Sequence, residues 1–347
     1  MSRFSPTPAV ASTAEARKQI PGAIPRGRSA RVGSHGVCRI PGVVPGLRLH
    51  EAPDSYGRPF AFVSTTAGGL HAIAVEYSGD GAPAPDESVE AWVARWERVV
   101  AELRASPLQG ISVMTESTRP HVLRFVLTYT DTEPSNSAAS SRRRGRANVS
   151  EMAVRLGSRV PRICSLLEAD AGGRAAPLSA RSITYAIRAV FDPSVADMVG
   201  EIDGRPAPRW RDVAPKTVRE AWDHVVHDRA ASVTWVMTGV PESEPTDAFL
   251  SPAPRCANAR LHVFFRQPSS PTTHHDRVAT SFTASSVGAT DDGVAALGEL
   301  PNRLSRPVRW RLRRVFGGQV AAFAAGAGLG MAVPGQLKPP QAVGARR

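Results

Sequence analysis

Two short histidine clusters are the first places where this chain could do chemistry. One is His224-Val-Val-His227-Asp228; the other is His274-His275-Asp276. A zinc site on a helix needs ligands at i and i+4, with a glutamate beside the first to serve as base. Here the histidines of the first cluster stand three apart and no glutamate fills the base position. In the second, adjacent side chains diverge within a Thr/Ser-rich stretch. Exposed or capping histidines are the better reading of both. Cys38, Cys164 and Cys256 lie too far apart for a zinc ribbon or a disulfide framework. Cys164, among apolar residues, reads as a small core residue.

Nucleophiles and phosphate loops fare no better. There is no GxSxG elbow and no GxxxxGK[ST] loop. Gly326, Gly328 and Gly330 are spaced GxGxG, and an Ala/Phe segment precedes them where a dinucleotide loop requires a strand. No paired carboxylates are placed for acid–base work. The expectation is therefore no enzyme, no catalytic or metal residues, no cofactor and no small-molecule ligand.

What remains is positive charge. The 347-residue chain carries 43 Lys+Arg against 31 Asp+Glu, a net +12. Only Lys18, Lys216 and Lys338 are lysine. That Arg bias, with much Ala, Gly and Pro, points to GC-rich coding and basic tails more than to a selected face. Two clusters are nonetheless candidate contacts for an anionic partner. The first is Arg142, Arg143, Arg144 and Arg146, in the polar loop 131–148. The second is Arg309, Arg311 and Arg313, in "RPVRWRLRRVFG". There Val308, Trp310 and Leu312 alternate with the arginines, as in a half-buried strand with a basic outer face. The aromatic signature of an RNA-binding sheet is missing.

The elements that must position these residues follow from periodicity. Residues 1–45 are Pro/Gly-rich and basic, with Glu15 the one acid among the first 40; they read as a disordered tail. A first α+β domain spans 46–200. "RPFAFVSTTAGGLHAIAVEY" predicts a hairpin turning at Gly68-Gly69. Val89, Trp92, Val93, Trp96, Val99, Val100 and Leu103 form a helical stripe, capped by Asp86 or Ser88. Strands follow at "GISVMTES" and "HVLRFVLTYT". A helix over 149–169 contains Pro161, and another runs from Leu178-Ser179 to about Val190. A second, shortened α+β domain spans 201–338. It holds strands at 231–240 and 259–267, a polar stretch at 268–292, a short helix at 292–304 and the closing basic strand. Residues 339–347 are a tail. The order β, α, β with paired strands predicts an α+β fold: helices on largely antiparallel sheets, in tandem ferredoxin-like units. No segment reaches the roughly 18–20 apolar residues that cross a bilayer.

The closing segment "VRWRLRRVFGGQVAAFAAGAGLGMAVPGQL" carries a resemblance. Its Arg313, Arg314, Phe316, Gly317, Gln319, Phe323, Leu329, Gly330, Pro334 and Leu337 match a basic strand, an aromatic-Gly-x-Gln turn, an Ala-rich helix and a Leu-Gly-x-x-x-Pro exit. With "SVEAWVARWERVVAEL", "EMAVRLGSRVPRICSLLEADAGG" and "EAWDHVVHDRAASVTWVMTGVP", this resembles an actinobacterial EccE-like family of type VII secretion and conjugal type IV transfer proteins. The resemblance implies a non-catalytic component of an export or DNA-transfer apparatus, partnered by a secretion ATPase. It implies a cytoplasmic location, or a peripheral one at the inner face of the cell membrane. The family's transmembrane pair and some internal helices have no counterpart here, so a shortened copy is expected. The alternative expectation is a basic nucleic-acid-binding module.

Overall fold

The computed structural model describes residues 32–43, 46–66, 69–79, 83–84, 86–103, 108–130, 149–195, 208–251, 255–266 and 278–330. Arg142, Arg143, Arg144, Arg146, His274, His275 and Asp276 lie outside them. The protein is α+β and dominated by one 13-stranded antiparallel sheet. Its strands are β1 (Gly33–Cys38), β2 (Leu47–Pro53), β3 (Pro59–Thr65), β4 (Leu70–Ser78), β5 (Leu108–Glu116), β6 (Arg119–Thr130), β7 (Arg174–Pro177), β8 (Val218–Glu220), β9 (Val225–His227), β10 (Ala230–Thr238), β11 (Asn258–Arg266), β12 (Val278–Val287) and β13 (Arg313–Arg314). The helices are α1 (Val89–Leu103), α2 (Val149–Ala171), α3 (Ala180–Phe191), α4 (Asp247–Leu250), α5 (Asp291–Gly298), α6 (Arg306–Arg311) and α7 (Gln319–Ala325).

One connectivity occurs twice. In the first half, β4-α1-β5-β6-α2-β7 places its strands in the order β7-β4-β6-β5. In the second, β10-α4-β11-β12-(α5, α6)-β13 gives β13-β10-β12-β11. Each repeat is preceded by a hairpin, β2-β3 or β8-β9, whose second strand shares the outer edge of the repeat's first strand with its last. Each is followed by a helix, α3 or α7. Local bonds repeat too: Leu178 N–H donates to the Ala74 carbonyl and Val315 N–H to the Thr234 carbonyl. The boundary expected near residue 200 falls between the repeats, outside the described residues.

The two halves join edge to edge. β5 pairs antiparallel with β11, from Arg260 opposite Glu116 to Arg266 opposite Gly110. These are equivalent strands, so the joint is self-complementary, like a two-fold interface between copies. If Ala74 and Thr234 are matched, the pseudo-dyad passes through the pair Met114 and His262.

Both faces of this sheet are covered, as a sheet with buried backbone on both sides requires. One face holds the larger core, under α1, α2, α4, α5 and α6. Trp92 and Trp96 lie there, on the α1 stripe, at 1% exposure. Trp96 packs edge-on against Tyr77 and Phe125, with centroids 5.2 and 4.8 Å away. Burying each such ring contributes about 1.5–3 kcal/mol or more. Ser88 Oγ accepts the Ala91 N–H and so is the α1 cap. The second face is covered by α3, the turn at Trp210 and α7.

Several expectations need correction. Gly33–Cys38 is an edge strand, not tail; five of its six residues are exposed, so it shows no apolar period. Val278–Val287, within the polar stretch 268–292, is a central strand. Its Ser and Thr side chains are paired on the second face, Ser285 with Ser232 at 2.7 Å and Thr283 with Thr234 at 3.2 Å. "RPVRWR" is helix, not strand. Pro307 suits a first helical turn and could not donate to a ladder. Val308 and Leu312 are buried, but Trp310 is 60% exposed.

Gln319 closes the gap that the β10 edge leaves between β9 and β13. Its Oε1 accepts the Thr234 N–H at 2.9 Å, and its Nε2 donates to the Thr234 and Val315 carbonyls at 3.2 and 2.7 Å. Gln319→Leu strands a buried N–H, which costs about 1–3 kcal/mol. The expected outcome is a lower urea midpoint with an unchanged slope, read by far-UV circular dichroism.

Candidate functional site

Arg309 and Arg311 lie on α6 and Arg313 on the two-residue strand that follows. They therefore do not form one ladder face. Arg311 pairs with Glu242 at 3.1 Å. Arg314 is fixed by two bonds to Asp223, Nη2 to Oδ2 at 2.9 Å and Nε to the backbone carbonyl at 3.0 Å. For Arg306, Arg309 and Arg313 no ion pair is recorded among the described residues. Arg306 instead lies over the exposed Trp310 ring, 4.4 Å from its centroid.

A second exposed aromatic feature stands at the β8–β9 turn. Trp222 is 71% exposed and Phe316 56%. Their rings stack at 6.1 Å and 30°. Gly317 makes this possible. It has φ +65°, and a Cβ there would come within 2.8 Å of the Trp222 ring. Its N–H donates to the Trp222 carbonyl at 2.7 Å. The turn is pre-organised, with the paired rings held open to solvent. Arg314, bonded to the adjacent Asp223, braces it from β13. Sequence reasoning missed this pair, because a tryptophan beside a His-rich strand is more often core; the Gly317-Gly318 dipeptide was the available signal.

In the first histidine cluster both ring nitrogens of His227 are taken up by protein groups. Among the described residues no group of three or more His, Cys, Asp or Glu could hold a metal ion. His227 is neither exposed nor a cap; it is 1% exposed. Its Nδ1 lies 2.7 Å from the Phe191 carbonyl and must donate to it. Its Nε2 then accepts from Ser232 Oγ at 2.7 Å. Ser232 bonds Ser285 in turn. Histidine next to serine is here part of a buried hydrogen-bonded network. Asp228, at φ +49°, accepts the Lys216 and Thr217 N–H groups and closes the neighbouring turn. Cys164 is buried, and burial pushes its thiol up to about 11.

Charge is also buried at the joint between the repeats. Glu76 accepts from Arg119 at 3.0 and 3.3 Å and from Arg124 at 3.0 Å. Burial opposes its ionisation, but Arg124 and Arg119 outweigh that and hold its carboxyl below the usual range. Glu116 accepts from Arg124 at 3.4 Å and from Asn258 at 3.1 Å. Arg260, opposite Glu116, is left out. Its Nη1 and Nη2 have no partner among the described residues, and it lies 5.1 Å from the Phe323 centroid. Desolvation lowers its pKa to about 10.

The glycine cluster covers this region. After α7 the chain runs over the second face from one repeat to the other. A Cβ on Gly326 would meet Thr283 at 3.3 Å, one on Gly328 Met114 at 3.0 Å and one on Gly330 Thr128 at 2.5 Å. Thr128 Oγ1 donates to the Gly330 carbonyl at 2.7 Å. The glycines permit close packing on the sheet.

No protein-family model matches the chain, and no curated protein matches it. No helix among the described residues is long and apolar enough to cross a membrane.

Three buried histidines make stability depend on pH. His50, His227 and His262 each fall from 6.5 to about 4. Burial is the main cause in all three. Arg48, His71 and His35 add repulsion at His50; Arg260 does so at His262. At His227 the bond to the Phe191 carbonyl opposes burial, and Arg260 adds to it. The unfolded chain therefore binds these protons first. Stability should be fully present above pH 6.5 and fall as pH drops towards 4, by about 1.4 kcal/mol per unit for each histidine. Urea unfolding at pH 7 and pH 5 measures this; equal midpoints would refute it.

Proposed function

We propose that this chain is a non-catalytic scaffold of an actinobacterial secretion or conjugal DNA-transfer apparatus. It is built from two tandem ferredoxin-like units and works in the cytoplasm, against the inner face of the membrane. The strand orders β7-β4-β6-β5 and β13-β10-β12-β11 support the two units. The matches in the closing segment support the family. The observation that carries a docking role is the stacked, solvent-facing pair Trp222 and Phe316.

Exposing two large rings costs free energy that a monomer gains nothing by spending. Trp and Arg dominate the energetic centres of protein interfaces. The partner that fits is an apolar segment of a neighbouring component, such as the secretion ATPase. Trp222→Ala/Phe316→Ala should leave the unfolding midpoint nearly unchanged and lower affinity for that ATPase at least about tenfold, the range of a hot-spot pair. Affinity capture with the purified ATPase reads this. Equal retention of the wild type and the double variant, or no binding by either, sinks the docking role.

A second reading has its own observation. Trp310 lies exposed beneath Arg306, with Arg309 one residue before it. Stacking rings beside cations also hold single-stranded nucleic acid. Single-stranded DNA should then bind at about 50 mM salt and weaken steeply towards 200 mM. Arg309→Ala/Arg313→Ala should shallow that dependence by about 0.7 in slope per lost phosphate contact. Absence of DNA retention at the low salt eliminates this reading.

A further inference from the structure

A cleft of about 570 Å³ opens at the N-terminus of α3. That volume lies within the range of sites for drug-sized ligands. Its lining is basic. His35 comes from β1, Arg181 from the first turn of α3, and Arg209 and Arg211 from the turn around Trp210. Glu51 is the one acid in the lining.

That acid is already committed. Glu51 Oε1 accepts the Ala180 N–H at 3.0 Å, and Oε2 lies 3.7 Å from His35 Nε2. Arg181 lies over the Tyr185 ring, 5.9 Å from its centroid; Arg209 and Arg211 are less engaged. Among the described residues Arg211 pairs only with its neighbour Asp212, at 3.7 Å and with both side chains about 60% exposed; such pairs contribute little. No ion pair is recorded for Arg209 among the described residues. The turn that carries both is rigid, because Trp210 is buried and its Nε1 donates to the Leu47 carbonyl at 3.0 Å. Two arginines thus stand on one fixed turn that lines the cleft together with Arg181.

The second repeat shows what a filled version of this place looks like. α7 also has a carboxylate at its start, though three residues further along by the repeat's count: Glu220 Oε1 accepts the Val320 N–H at 3.0 Å. Counting from the shared bonds of Leu178 and Val315, Gly317 is the counterpart of Ala180. Gly317 is covered by the Trp222 ring. Ala180 is instead a wall of the open cleft.

We propose that the cleft at the α3 N-terminus binds a phosphate-bearing ligand, its phosphate oxygens taken by Arg181, Arg209 and Arg211. Guanidinium forks match phosphate oxygens two at a time, and the Ala180 N–H at the start of α3 is already taken by Glu51. Thr184 and the Ala180 wall face the rest of the ligand. This proposal stands apart from the docking role of Trp222 and Phe316.

The test is calorimetric titration of the whole chain with inorganic pyrophosphate and with ATP, adenosine being the phosphate-free control. Vesicles of phosphatidic acid in phosphatidylcholine, against phosphatidylcholine alone, probe a lipid source of the same group. Saturable binding of pyrophosphate or ATP, and none of adenosine, is expected for a soluble ligand; binding to phosphatidic acid vesicles alone assigns a lipid headgroup. In either case Arg209→Ala/Arg211→Ala should weaken binding at least about tenfold, because both side chains are exposed and neither packs the core. Arg309→Ala/Arg313→Ala should leave it unchanged. No saturable binding of any probe overturns the proposal. So does equal weakening by the two double variants, which would mean attraction by net charge alone.

Discussion

The pairing of β5 with β11 is the constraint on which the rest depends. Each repeat alone would leave that strand as an open edge, a row of unpaired backbone groups that invites aggregation. Joined, they give one sheet too wide for either repeat's helices to cover. The larger core is closed by helices from both halves, and the other face by α3 and α7 with the glycine segment crossing the seam. Burial at the seam explains the polar residues found there. Arg260 and His262, buried on β11, sit where an ordinary edge strand would meet water.

The internal repeat also explains why function must be sought at its departures from symmetry. The capping carboxylates Glu51 and Glu220 do the same work in both halves. Around them the halves differ. One half closes the place beside its cap with Trp222 on Gly317 and shows the rings outward. The other leaves a cleft rimmed by Arg181, Arg209 and Arg211. A shared framework thus carries an aromatic surface at one end and a basic hollow at the other.

Legibility in the sequence followed the strength of the periodic signal. The α1 stripe and the Met152, Leu156, Val160, Ile163 and Leu167 stripe of α2 are buried as their spacing implies. β12 was hidden because its Ser and Thr side chains find partners on β10, β11 and nearby backbone inside the protein, which no count of polar residues reveals. The strands β7, β8, β9 and β13 have four residues or fewer, too short for a period of two. "RPVRWR" alternates as a strand would, yet Pro307 placed it in a helix. At the candidate sites the limit was different. Trp222, Phe316, Arg209 and Arg211 are ordinary residues in irregular segments, and only long-range strand pairing brings them to their places.

The bond from Thr128 to Gly330 has a consequence for the order of events at the ribosome. The first repeat's strands are all made by residue 177, yet part of their second face is roofed by the last described residues. Until those residues leave the exit tunnel, Ala72, Val126 and Arg124 lack the part of their cover that Gly328 and Gly330 supply. The first repeat's second face is therefore completed by a segment about 150 residues further along the chain, which ties the packing of the first repeat to the presence of the second.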